Sequence, residues 1–198
     1  MQLSELVTVS AEVSATRSRL QKRALLRDCL RAAGRDEIEL VVNYLGGVLP
    51  QGRIGLGPAI VRDAFGAEPA SDATLTIAQV NATIDDIAAI SGKGSQQARK
   101  ETLGRMFATA TPPERDFLAR LLLGELRQGA LEGVLVESIA DAAELDAGLV
   151  RRAVMLAADP APVARAAFAE GEPGLARFRL EPLVPCLLYT SPSPRDRS

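Results

Sequence analysis

A short glycine turn ahead of a basic helix is the first feature that could do chemistry. It reads Gly92-Lys93-Gly94-Ser95, and Lys93 and Arg99 add positive charge. Free backbone N–H groups at a helix N-terminus suit a phosphate, and small residues let an anion approach closely. The spacing differs from a Walker P-loop, in which Ser or Thr follows the lysine directly. The segment therefore indicates either a phosphate contact or a flexible turn in which Ser95 caps the helix.

A second candidate is a sequence echo between two glycine-containing turns. Residues 52–57 read GRIGLG and residues 126–131 read LRQGAL, and each turn joins an apolar helix to another helix. The corresponding pairs are Arg53 with Arg127 and Gly55 with Gly129. Two such turns, related by a pseudo-twofold, could hold both strands of a duplex, because arginines and backbone amides bind phosphates and glycines allow close approach. Glycine is also common at ordinary helix–helix corners, so both interpretations stay open.

A third candidate is an arginine stripe with a four-residue repeat. Its members are Arg23, Arg27, Arg31 and Arg35. Like charges at this spacing cost a helix about 0.2–0.5 kcal/mol per pair, which a polyanion or nearby carboxylates would relieve. The nearby acidic residues are Asp36, Glu37 and Glu39. A solvated or internally paired face is the favoured interpretation.

Charge is unevenly distributed although the formal net charge is only −2. Residues 17–35 carry seven Arg or Lys against one Asp, residues 36–91 carry two against eight acids, and residues 92–130 carry seven against four. The positive charge is thus concentrated in two segments, which is compatible with a polyanionic partner.

Several kinds of chemistry are disfavoured by residue type. The chain has no histidine, which removes Ser-His and Cys-His nucleophiles and histidine-bound metals. Asp85 and Asp86 are adjacent and point to different helix faces, so they form no acid/base dyad. Cys29 and Cys186 lie too far apart for a metal motif. No apolar run reaches the length of a membrane span and no signal pattern begins the chain, so the cytoplasm is the expected compartment.

Helical periodicity runs through most of the chain. Apolar residues are 47% of the sequence, aromatic residues only 4%, and Ala and Leu dominate, which favours packed helices. The sequence predicts an all-α fold, a single multi-helix domain with pseudo-twofold helix-turn-helix hairpins. The expected helices cover about 3–14, 19–33, 37–45, 58–65, 76–89, 96–109, 112–126, 132–142, 146–157 and 160–170.

Three segments are expected along the chain. Residues 1–177 form the helical domain, and residues 178–185 (FRLEPLVP) start a linker. Residues 186–198 (CLLYTSPSPRDRS) are rich in Ser and Pro without periodicity, which predicts a non-native or disordered tail. The natural protein is therefore expected to continue past Pro185.

These features together resemble the N-terminal DNA-binding domain of ATP-dependent DNA ligases, especially the bacterial, actinobacterial-like group. The matching segments follow the family's order and spacing. They are LPQGRIGLG (49–57), SGKGSQQARKETLGRMFATAT (91–111), FLARLLLGELRQGALEG (117–133) and VRRAVMLAADPAPVARAAF (150–168).

The resemblance implies a helical domain that binds the duplex around a nick, largely through the minor groove and the backbone. The DNA-facing positions it implies are Arg53, Gly55, Gly92, Lys93, Gly94, Ser95, Arg127 and Gly129, and the charge argument adds Arg99. One departure lies in the second turn, which often reads Leu-Arg-Ile-Gly-Leu in the family and here has Gln128 and Ala130 in place of the apolar residues.

The family's nucleotidyl transfer uses a lysine in a Lys-x-Asp-Gly pattern, which takes AMP from ATP. None of the three lysines here, Lys22, Lys93 and Lys100, has that context. We expect this fragment to be inactive alone and to hold no cofactor, with ATP and Mg²⁺ belonging to a missing catalytic domain.

The function that the resemblance implies is sequence-independent binding of nicked duplex DNA by a monomer on the bacterial nucleoid, in repair, replication or recombination. The alternative is a helical protein-interaction scaffold with no nucleic-acid role.

Overall fold

The computed structural model describes residues 1–66, 68–126 and 131–179. In these ranges the chain forms eleven helices. They are α1 (Leu3–Ala15), α2 (Arg19–Ala32), α3 (Ile38–Leu45), α4 (Pro58–Ala64), α5 (Ile77–Ala89), α6 (Ser95–Ala108), α7 (Pro112–Leu122), α8 (Glu132–Ala143), α9 (Ala147–Ala157), α10 (Pro160–Glu170) and α11 (Glu172–Leu175). The only β pairing within the described ranges is an isolated bridge between Gln2 and Thr76. The all-α, single-domain prediction is confirmed.

The expected amphipathic faces do form the core. Ile77, Val80, Ile84 and Ile87 of α5 are all fully buried. On α2 the buried residues are Leu26, Cys29 and Leu30. Burial raises the pKa of the Cys29 thiol to about 11, because the thiolate would lose its hydration. This cysteine is therefore a core residue and not a nucleophile at neutral pH.

The sequence predicted ten helices, α1 to α10, and their observed ends lie within one residue of the predicted ends, except at the C-terminus of α7. That helix stops at Leu122, not near residue 126, because Gly124 turns the chain with a φ of 71°. The short helix α11 was not expected at all. Gly171 closes α10 as predicted, but a proline in the first turn of α11 restarts the helical conformation at once.

The arginine stripe of α2 packs against α8 and is internally paired. Arg23 donates hydrogen bonds to both carboxylate oxygens of Asp141. Arg31 donates to Glu144 at 3.1 Å, and Arg27 pairs with its neighbour Asp28 at 2.8 Å. Arg23 and Arg31 therefore stabilise the contact between α2 and α8, and the internally paired interpretation is confirmed for Arg23, Arg27 and Arg31.

The expected acidic partners of the stripe were wrong. Glu37 accepts a hydrogen bond from the amino group of Met1 at 2.6 Å, and Glu39 pairs with Arg165 at 3.2 Å. The carboxylates that pair with Arg23 and Arg31 lie more than a hundred residues further along the chain, on α8 and at its C-terminal cap. Proximity in sequence did not predict the partners of Arg23 and Arg31, because the packing of α2 on α8 determines which charged side chains are in contact.

The pairing on α8 makes stability depend on pH. The hydrogen bond from Arg23 holds the pKa of the Asp141 carboxyl below its ordinary value. A lowered folded-state pKa contributes stability that is complete above about pH 4 and is lost as the pH falls through the folded value. We expect Asp141→Asn to melt at a lower temperature than the unmodified domain at pH 7, and the difference to shrink towards pH 3. Asp28→Asn is the control, and a difference independent of pH would contradict this account.

No helix in the described part of the chain is long and apolar enough to cross a membrane. The same residues contain no group of three or more Cys, Asp or Glu side chains placed to hold a metal ion. The expected tail and most of the expected linker lie outside the described ranges.

Candidate nucleic-acid interface

The first candidate turn begins where α3 ends. Gly47 has a φ of 67°, its N–H donates to the carbonyl of Tyr44 at 3.1 Å, and the N–H of Val48 donates to the carbonyl of Asn43 at 2.8 Å. This pair of bonds is a Schellman motif, which requires a left-handed residue and so favours glycine. The sequence folds this way because Gly46-Gly47 follows the apolar helix directly.

The second candidate turn begins in the same way at the end of α7. Gly124 has a φ of 71°, its N–H donates to the carbonyl of Leu121 at 3.1 Å, and the N–H of Glu125 donates to the carbonyl of Arg120 at 2.8 Å. Both candidate turns therefore follow a helix that ends in the same hydrogen-bond pattern, and the sequence echo between 52–57 and 126–131 stays a prediction. Arg127 and Gly129 lie outside the described residues, so their positions and the pseudo-twofold stay predictions.

The first turn lies against the end of α7. They line a common pocket of about 530 Å³, with residues 47–49 and 52–56 on one side and residues 121–124 on the other. Ile54 of the first turn is buried, as are Leu121 and Leu122 at the end of α7. Apolar packing thus fixes the first turn beside the end of the helix from which the second turn departs.

A polar network fastens the first turn to α5. The Gln51 amide nitrogen donates to Asn81 at 2.8 Å and to Asp85 at 2.7 Å. The amide nitrogen of Asn81 donates to Asp85 at 3.0 Å. The Tyr44 hydroxyl contacts Asn81 at 3.4 Å, and burial raises its pKa, so it stays protonated. Asp85 has a structural role in this network, since it holds the turn that carries Arg53.

The third candidate turn precedes α6. Gly92 and Gly94 both have a φ of 84°, where glycine is favoured over residues with a side chain. Gly94 is the N-cap, so Ser95 is the first helical residue and not the cap that the simple turn interpretation assigned to it. No side chain caps this helix end. The N–H of Ser95 donates to the carbonyl of Gly92 at 3.2 Å. The N–H groups of the next two residues have no intrahelical acceptor and can bind an anion, and exposed Lys93 lies beside them.

Arg99 joins the third turn to the first. Its Nη2 donates to the carbonyl of Ile90 at 2.6 Å, and its Nε donates to the carbonyl of Ile87 at 3.4 Å. A Cβ atom at Gly55, which has a φ of 73°, would lie only 2.7 Å from Nη1 of Arg99. A side chain at this position would therefore displace the guanidinium from beneath the turn. Sequence reasoning placed Arg99 in the interface for its charge and missed this positioning contact.

We call the surface formed by residues 47–57, 90–95 and 121–126 the three-turn surface. Six of the seven described glycines with positive φ lie on it, so its backbone is open to close approach. Among the sequence-predicted site residues, five are exposed and two are half-buried. The exposed ones are Arg53, Gly55, Gly92, Lys93 and Gly94, and the half-buried ones are Ser95 and Arg99. The described turns thus bring together what the sequence singled out, apart from Arg127 and Gly129.

Comparison with known proteins agrees with this architecture. Residues 66–140 match the family model for the DNA ligase N terminus. A probable DNA ligase from Anaeromyxobacter sp. (strain Fw109-5) is 53% identical over 94% of this chain, and one from Streptomyces griseus is 46% identical over 98%. The matched residues belong to the DNA ligase N-terminus family.

This ligase N-terminal chain spans only part of its relatives. It covers 37% of the Anaeromyxobacter protein, 38% of the Streptomyces protein and 35% of a probable DNA ligase from Mycolicibacterium gilvum, which is 45% identical. The family match at 66–140 includes the second and third turns, and the alignments with the relatives extend over nearly the whole chain. The family resemblance stated from the sequence is confirmed.

Proposed function

We propose that this ligase N-terminal domain binds duplex DNA independently of sequence and positions a nick for sealing by a longer ligase. The observation that carries the proposal is a single surface of glycine-containing segments: the first turn and the end of α7 share a pocket, and Arg99 joins the first turn to the third. Separate turns could each touch a phosphate. A continuous surface can follow the sugar-phosphate backbone over several nucleotides.

The chemistry of the three-turn surface suits phosphates better than base edges. Arg53 and Lys93 are exposed cations on the first and third turns, and residues 52–57 and 90–95 contain no acid. Contacts from cations, backbone N–H groups and helix N-termini fix a protein on the duplex without carrying sequence information. Close approach of glycine backbone also fits a minor groove, whose pattern of acceptors is degenerate.

Nick sealing itself belongs, in this proposal, to the remainder of a longer ligase. ATP and Mg²⁺ would act there, because Lys22, Lys93 and Lys100 lack the Lys-x-Asp-Gly context. The role of this chain is to bind and to orient the duplex, and we propose that it does so as a monomer.

A binding titration separates this function from the protein-interaction scaffold. We expect a fluorescein-labelled duplex of about twenty base pairs to show rising anisotropy with the domain at low salt, for unrelated sequences alike, as phosphate contacts require. A single strand of the same length should bind more weakly, and a central nick should not weaken binding. The scaffold alternative predicts no change in anisotropy for any of these nucleic acids.

A further inference from the structure

Three arginines from two helices, α2 and α9, converge on one carboxylate of α8 away from the three turns. Glu137 of α8 accepts a hydrogen bond from Arg19 at 2.8 Å and lies 3.8 Å from Arg23 and 3.9 Å from Arg151. Arg23 has a second carboxylate in Asp141. Arg19 and Arg151 share Glu137, so this group, the Glu137 arginine cluster, has positive charge that its own acids do not balance.

The two outer arginines are accessible. The side chains of Arg19 and Arg151 are 64% and 58% exposed, whereas that of Glu137 is 19% exposed. A ligand approaching from solvent therefore meets the guanidinium groups before the carboxylate. Exposed ion pairs contribute little to stability, so these arginines are free to exchange Glu137 for another anion at low cost.

The cluster lies next to the second turn. A Cβ atom at Gly133, in the first turn of α8, would lie 4.0 Å from Nη2 of Arg19. Gly133 follows the segment 126–131 within two residues, so Arg19 lies where the second turn enters α8. A duplex lying across the three turns would have its flanking backbone within reach of this position.

We propose that the Glu137 arginine cluster is an additional contact for the DNA phosphodiester backbone, beyond the three-turn surface. Arg19 and Arg151 bind phosphates beside the second turn, and Glu137 competes with those phosphates for the same guanidinium groups. Arginine suits this role because its planar donors bind phosphate oxygens in pairs. The proposal rests on the proposed function, since it assumes that a duplex occupies the three turns.

Competition between Glu137 and phosphate predicts a change in affinity that depends on which carboxylate is removed, and not only on the net charge. Glu137→Gln removes the competing charge and should tighten duplex binding roughly threefold at low salt, because screening is weak there. Glu39→Gln is the matched control, since Glu39 also pairs with an exposed arginine, Arg165, at 3.2 Å. It adds the same charge elsewhere and should leave affinity unchanged.

The reverse substitutions complete the test. The double variant Arg19→Ala, Arg151→Ala should weaken binding at least fivefold and make the salt slope shallower by roughly two units. Arg165→Ala should leave both unchanged, and thermal melting of every variant confirms that it is folded. The proposal is wrong if Glu137→Gln has the same duplex affinity as Glu39→Gln, and the double variant the same affinity as Arg165→Ala, while Lys93→Ala still weakens binding. If the unmodified domain binds no duplex, the proposed function itself fails and the cluster proposal falls with it.

Discussion

Replacing Arg115 with alanine is expected to lower the free energy of unfolding by about 3 kcal/mol, since it strands buried carbonyl groups without a donor. Arg115 of α7 is only 4% exposed. Its guanidinium donates to the carbonyl of Phe107, at the end of α6, and to that of Glu68, in the loop between α4 and α5, both at 2.5 Å. One side chain thus ties three segments together. Chemical denaturation measures the loss, which corresponds to a fall in melting temperature of roughly 10 °C for a domain of this size.

The matched control lies on the same helix. Arg120 is exposed and approaches Asp116 one turn away at 3.9 Å. Arg120→Ala should change the free energy of unfolding by no more than about 0.5 kcal/mol, as is usual for such surface pairs. Equal losses for the two variants would show that the buried contacts of Arg115 contribute nothing special.

Gly94→Val is expected to weaken duplex binding by at least tenfold. Two effects act together at this position. The φ of 84° is strained for a β-branched residue, at a cost on the order of 1–3 kcal/mol. A valine side chain would also project towards the ligand, because no atom of the domain lies within 4 Å of the Cβ position. Fluorescence anisotropy with a labelled duplex measures the effect, which leaves the charge of the domain unchanged.

Two further variants separate the effect of backbone strain from the effect of a side chain that blocks the approach of DNA. Gly171→Val introduces at least as much strain, because a φ of 65° with a ψ of −141° is nearly restricted to glycine. Its Cβ position is also free, but it lies after α10 and not on the three-turn surface. It should lower the melting temperature without weakening DNA binding of the folded domain. Gly94→Asn tolerates the left-handed conformation and should lose affinity with little loss of stability. If Gly94→Asn binds as tightly as the unmodified domain, the backbone at Gly94 does not approach the duplex.

The fold was predictable because local signals agreed with tertiary packing. The Thr111-Pro112-Pro113-Glu114 start of α7 is a capping box, in which the Thr111 N–H donates to Glu114 at 2.8 Å. The apolar residues that recur at helical spacing in α5, Ile77, Val80, Ile84 and Ile87, are the buried residues of that helix. Caps and periodicity act over one to four residues, so the sequence displays them directly.

The parts that escaped prediction depend on contacts distant in sequence. Nothing near Arg23 points to Asp141, and nothing near Arg99 points to Gly55, since both pairs meet only when helices pack. The glycine pattern located the turns, but only the structure shows that the first and third share a guanidinium. The charge pattern of the sequence therefore did not show that Arg99 contacts the first turn, and it did not reveal the cluster at Glu137.

The salt dependence of duplex affinity tests the central claim most directly. If the three-turn surface binds phosphates, log Kd should change linearly with log salt concentration, with a slope of about 0.9 per phosphate neutralised. Lys93→Ala and Arg127→Ala should each weaken binding to every duplex alike and make the slope shallower by roughly one unit. Arg177→Ala, whose side chain pairs with Glu170 near the end of the described chain, should do neither. Equal weakening by Arg127→Ala and Arg177→Ala, with Gly94→Val binding as the unmodified domain does, would show unspecific attraction and contradict the account.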